Sequence, residues 1–161
     1  MAKGITLATF SGLWQEYADH IREAIAPLTA EQAALRAGPG QRSIGEIVAH
    51  VIECRAFWLG DFVGEAGEEL DALRVWYEPG ALTTDVAGLV NGLDRSWRFV
   101  AALLDRWTPA DMQQTFPHEW RGNHYELSRT WVVWHVLEHD LHHGGEISLT
   151  LGLHGLQAPD I

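Results

Sequence analysis

Residues 134–148 read WHVLEHDLHHGGEIS, and four of the nine histidines of the chain, His135, His139, His142 and His143, fall within them. On a helix, residues four apart stand one turn apart on the same face. His139 and His143 can therefore aim two imidazoles at one point, which is how many zinc sites begin. His135 and Glu146 extend the same stripe, and His142 lies beside it. A third ligand has to come from elsewhere, and His50 is the best candidate. It sits in IGEIVAHVIECRAFWL with apolar neighbours on both sides, where an imidazole loses hydration and needs a partner. Three neutral ligands leave a divalent ion one open coordination position, a pattern that suits catalysis better than a closed structural site.

Two short motifs overlap in the same stretch. HDLHH, residues 139–143, follows H-E-x-x-H with Asp in place of Glu, and HVLEH, residues 135–139, follows the inverted H-x-x-E-H. They offer Asp140 or Glu138 as the base of a metal hydrolase. A histidine-rich helix produces such matches by chance, and Asp is short for reaching a metal-bound water, so the catalytic base is not assigned. His135 reads as a further ligand or as pocket lining, and pocket lining is preferred. Glu146 reads either as a partner that orients a histidine or as an exposed helix charge. Cys54, one turn after His50, reads as a buried structural thiol.

These residues need helices to position them. A first helix is expected from about Ser11 to Ala26, where Leu13, Trp14, Tyr17, Ile21 and Ile25 recur at helical spacing and Pro27 follows. Thr29 with Gln32 forms a capping-box pattern for a short turn up to Leu35. Ser43 with Glu46 forms another, opening a second helix over about 43–63. The acidic stretch 64–80 reads as mostly loop, and its GEAGEELD run as a solvated surface. Thr84 and Asp85 start a third helix that continues to Trp107. Residues 113–127 break the helical pattern, and short runs on either side of RGN suggest a small β-hairpin that Pro117 weakens. Ser128 caps a fourth helix carrying the histidines to about Leu151. His20, His118, His124 and His154 fall at surface or loop positions. The pattern is that of a single all-α domain spanning 1–161, a four-helix bundle with room for a hairpin before its last helix.

Composition narrows the function classes. The chain has 161 residues, 47% of them hydrophobic, enough for one domain with a sizeable core. Its net charge is −11, which argues against nucleic acid and anionic membranes as partners. There is no run of about 18 apolar residues and no signal-peptide pattern in MAKGITLATFSG. A lone cysteine forms no disulfide within the chain and fits a reducing cytoplasm. Eight tryptophans suit a cavity or a subunit contact.

Two stretches carry a resemblance. RSIGEIVAHVIECRAFWL, residues 42–59, resembles the second helix of the DinB family, also described as DinB/YfiT-like metalloenzymes, in which one metal histidine follows a capped start. HVLEHDLHHGGEI, residues 135–147, resembles that family's last helix. The resemblance implies an up-down-down-up four-helix bundle and a metal triad of His50, His139 and His143 holding zinc or nickel. It implies a thiol S-transferase or isomerase chemistry with a low-molecular-weight thiol as cosubstrate, a small-molecule substrate, and a homodimer. Where the family often reads HHRGQ, this chain reads HHGGE, with Gly144 in place of arginine and Glu146 in place of glutamine. An arginine there could bind a carboxylate, so the substrate need not be shared.

Four functional readings stay open, the last of them a metal-free bundle with polar core histidines. In one, the ion lowers the pKa of a thiol cosubstrate that attacks an electrophile. In the second, it activates water for hydrolysis. In the third, the protein is a non-catalytic metal- or ligand-binding module.

Overall fold

The computed structural model describes residues 7–78, 80 and 82–159. The first six residues of the stretch in which no signal segment is expected lie outside the described residues. The four long helices are α1 (Leu7–Ile25), α3 (Ile44–Ala56), α5 (Val86–Arg106) and α6 (Arg129–Leu153). A short α2 (Ala30–Ala33) follows α1, and α4 (Glu68–Leu73) precedes α5. Among the described residues no helix is long and apolar enough to cross a membrane.

Side chains set the helix starts. The Thr29 hydroxyl accepts from the Gln32 amide at 3.2 Å, and the Gln32 side chain accepts from the Thr29 amide at 2.9 Å. Ser43 and Glu46 repeat the arrangement at 3.2 and 2.6 Å. Asp85 caps α5 through the Gly88 amide and Ser128 caps α6 through the Trp131 amide. Each cap satisfies a donor that the first helical turn leaves unpaired.

Two stretches differ from their expected form. The second helix does not run unbroken to 63: after Ala56 it widens into a π-helical turn, Phe57–Asp61, with the Phe62 amide bonded to the Phe57 carbonyl at 2.8 Å. The stretch 64–80 is not mostly loop. It contains α4 and a 3-10 turn, Arg74–Tyr77, because Leu70, Leu73 and Trp76 recur every third residue and are buried. Nor is its acidic run merely solvated. Glu65 accepts from Trp107 at 3.2 Å and also meets Arg106, while Glu69 pairs with Arg95 at 3.1 Å, holding the stretch against α5.

The hairpin forms as expected from β1 (Thr115–Trp120) and β2 (Asn123–Ser128), paired antiparallel with Pro117 opposite Glu126. Both strands are edges, where proline is tolerated. The turn has positive φ at Arg121 (50°) and at Gly122 (76°), the conformation a two-residue hairpin loop requires.

The long helices pack α1 on α5 and α6, and α3 on α5 and α6. Where they meet lies a buried polar knot. Arg55 on α3 donates to both oxygens of Asp140 on α6, with Nη2 at 2.7 Å from Oδ2 and Nε at 3.0 Å. Trp14 Nε1 on α1 donates to the same carboxylate at 2.8 Å, and Arg55 Nη1 donates to Ser96 Oγ on α5 at 3.1 Å. Arg55 and Asp140 are 2% and 3% exposed. Asp140→Ala would strand the Arg55 charge in the core, so urea unfolding should show a loss of about 3–5 kcal/mol. A loss under about 1 kcal/mol would contradict that assignment.

Candidate metal centre

Along α3 and the π-helical turn after it, rising residue numbers meet falling ones on α6: His50 meets His139 and His143, Arg55 meets Asp140, and Trp58 meets His135 and Trp131. The three imidazoles pack edge to face, with ring centroids 4.7 Å apart for His50 and His139, 5.0 Å for His50 and His143, and 4.3 Å for His139 and His143. One nitrogen from each lies within 4.8 Å of the other two, and the Nε2 atoms of His50 and His139 are 3.0 Å apart. A zinc ion about 2.0–2.1 Å from each nitrogen would hold them a little over 3 Å apart.

The tautomers fit the same purpose. His50 Nδ1 is 3.1 Å from Glu53 Oε2, and His143 Nδ1 is 2.6 Å from Glu146 Oε2. An ionised carboxylate only accepts, so each Nδ1 carries the proton and each Nε2 presents a lone pair. Burial, reinforced by the imidazoles of His143 and His50, pushes His139 down to about 3, keeping it neutral. Burial also lowers His143, against the opposing pull of Glu146. Three imidazoles brought within ligand distance of one another are a donor set suited to zinc or nickel.

The other candidates lie around this group. His135 is one turn away, stacked on Trp131 at 4.9 Å and 12°, with its ring 6.2 Å from that of His139. His142 is exposed, 3.5 Å from Glu146, and forms with His143 and Glu146 a second set of close ligand atoms. Glu138 is exposed and 4.0 Å from His135. Asp140 is turned away from the imidazoles and bound to Arg55, so it does not stand where a base for metal-bound water is needed. Cys54 is buried, and burial, with the nearby Asp140 charge, pushes its thiol well above the ordinary range. His118 is not an ordinary surface residue: its ring lies 5.4 Å from Trp58 and 5.6 Å from Phe62. His154 donates from Nε2 to the Arg36 carbonyl at 2.9 Å.

Gly144 has a packing cause. A Cβ there would lie 1.9 Å from the Tyr17 hydroxyl oxygen, so the α1 tyrosine occupies the space of any side chain at this position. The residues that sequence reasoning missed are Glu53, Arg55 and Tyr17. Glu53 had a legible signal, because HVIE at 50–53 and HGGE at 143–146 share the spacing His-x-x-Glu, which puts a carboxylate one turn from each imidazole.

A helical frame with a two-strand sheet, bearing three imidazoles across two antiparallel helices, defines a class of small helical proteins with the makings of a metal site. The chain belongs to the DinB superfamily, whose model matches residues 13–147, a span that includes the triad and both carboxylates. A crystallographically solved DinB-like protein from Bacillus cereus superposes with a TM-score of 0.74 over 97% of each chain, at 17% identity, a likeness of fold alone. No curated protein matches the chain.

Removing the carboxylate that orients a ligand commonly weakens metal binding about 10–100-fold. Glu53→Ala and Glu146→Ala should each do so in a zinc competition against a chromophoric chelator, with the melting curve of the metal-free protein retained. Unchanged zinc affinity in both variants would remove the orienting role.

Proposed function

We propose that the protein is a divalent-metal enzyme that activates a low-molecular-weight thiol and transfers it to a small electrophile. Its frame in this reading is a single up-down-down-up four-helix bundle. Contact order supports that frame. Trp14 and Tyr17 meet residues 140 and 144 in rising order, Trp14 and Arg22 meet Trp97 and Asp94 in falling order, and Ile52 and Arg55 meet Gly92 and Ser96 in rising order.

The observation that carries the reading is the convergence of three imidazole nitrogens within 4.8 Å of one another, with neither Asp140 nor Glu138 beside them as a base. Zinc or nickel, when bound, would lower the pKa of a thiol and so supply a nucleophile at neutral pH without a dedicated base. His50, His139 and His143 hold the ion, and Glu53 and Glu146 keep His50 and His143 in the ligating tautomer. His50 and Glu53 also line a polar cleft of about 540 Å³ that includes Arg36 and Arg42. Arg36 is engaged by Glu46, whereas Arg42 has no ion-pair partner among the described residues. An unpaired guanidinium in this cleft, which Glu46, Glu53 and Glu78 also line, gives the carboxylate of a thiol cosubstrate a partner. The cytoplasm supplies such thiols in reduced form. The hydrolase reading lacks a positioned base, since the remaining carboxylates near the triad are those bonded to His50 and His143.

Zinc-loaded or nickel-loaded protein should accelerate the reaction of glutathione or cysteine with 1-chloro-2,4-dinitrobenzene. The thiolate sulfur bonds to the ring carbon and chloride leaves. The expected rate is at least about tenfold above that of the metal-free protein, and it is lost in His50→Ala. Ester turnover without added thiol, alongside no thiol consumption, would overturn the reading in favour of hydrolysis.

A further inference from the structure

One turn beyond the triad, the hairpin closes over α6 and the π-helical turn to leave a cavity of about 390 Å³. That is the size of a small-ligand pocket. Its walls are aromatic: Trp58, Trp131 and His135 from the helices, His118, Trp120 and Tyr125 from the hairpin. Trp131 and His135 stack in parallel, and Trp58 stands edge-on to both, at 5.8 and 4.8 Å between centroids. The cavity is thus walled by a stacked pair of rings and a third ring at a steep angle to both.

We infer that this slot binds a flat, neutral aromatic group of the electrophilic substrate and holds its reacting atom at the triad. Among the described residues no Asp, Glu, Lys or Arg lines the cavity. A charged ligand therefore meets no counter-ion there, whereas an aromatic ring finds offset and edge-on partners. Trp120, Tyr125 and Trp131 leave much of their surface in water without a ligand, and an occupant would cover it.

Position ties the slot to the candidate metal centre. Trp131, His135 and His139 follow one another at four-residue spacing on α6, and the His135 and His139 rings are 6.2 Å apart. A substrate ring against Trp131 and His135 thus puts a substituent about one helical turn, ~6 Å, along the helix at the triad. The word electrophile rests on the proposed function; the slot and its preference for neutral aromatics do not.

The test separates the two. Calorimetric titration of 2-naphthamide, which is neutral and binds metal poorly, into protein held in EDTA should show one saturable site. Trp131→Ala should weaken that site at least about tenfold. Trp134→Ala, which removes a tryptophan that is 55% exposed on the same helix but outside the cavity, should leave it unchanged. Trp131 is itself 39% exposed, so its loss should be compatible with folding, and thermal melts of both variants check this. Absence of saturable binding to the wild type, equal loss in both variants, or tighter binding of 2-naphthyltrimethylammonium than of 2-naphthamide would overturn the inference. In zinc-loaded protein, naphthalene-2-hydroxamic acid should bind at least about tenfold more tightly than acetohydroxamic acid. Equal affinities would overturn the link between slot and triad. Failure of both hydroxamates beside intact naphthamide binding would overturn the metal reading and uphold the slot.

Discussion

The buried ion pair between Arg55 and Asp140 is the contact on which the rest of the molecule depends. With Trp14 and Ser96 it takes one side chain from each of the four long helices. Asp140 directly follows His139, so on a helix the two side chains diverge by about 100°. One then faces the knot and the other faces His50. Arg55 lies five residues after His50, and the pairing of Arg55 with Asp140 fixes the register of α3 against α6 that lets His50 meet His139. A slip of one turn in either helix would break the imidazole convergence and bury two unpaired charges together. Buried ion pairs contribute little net stability but penalise wrong registers heavily, and here the penalty falls on arrangements that would dismantle the site.

Around that fixed register the environment is graded. The triad sits where burial keeps His139 neutral, and each of its flanking imidazoles has a carboxylate one turn away. On the His50 side the walls are polar and include the free cation of Arg42. On the His135 side they are aromatic and include no Asp, Glu, Lys or Arg. The π-helical turn contributes to this asymmetry. It comes immediately after α3 and carries Trp58, which edges against Trp131, His135 and His118. A protein with a net charge of −11 thus places a polar cleft of mixed charge and an aromatic slot on two flanks of one group of imidazoles.

Much of the frame was legible in the sequence because its signals are local. Ser43 with Glu46, Thr29 with Gln32, and Ser128 mark helix starts through hydrogen bonds spanning three residues, and RGN marks a turn needing positive φ. The spacing of His139 and His143, and the apolar setting of His50, pointed to residues that the fold brings within ligand distance. What stayed hidden depends on contacts distant in the chain. α4 is six residues long, too short for its apolar spacing to stand out, and it and the 3-10 turn after it are held by burial of Leu70, Leu73 and Trp76. Asp140 matched a hydrolase motif but answers to Arg55, 85 residues away. Gly144 is set by a tyrosine on α1, and Arg55 sat unnoticed inside an apolar stripe. Glu53 and Glu146 show the intermediate case, a local spacing whose meaning emerges only once the imidazoles it orients are known to converge.

The central claim is that His50, His139 and His143 converge on one divalent ion. X-ray absorption spectroscopy of the zinc-loaded protein at one equivalent tests it most directly. The account predicts about three imidazole nitrogens near 2.0–2.1 Å with no sulfur, and a further light-atom ligand from solvent. It also predicts loss of one imidazole in His50→Ala. A sulfur shell near 2.3 Å, or an imidazole count that His50→Ala leaves unchanged, would contradict it.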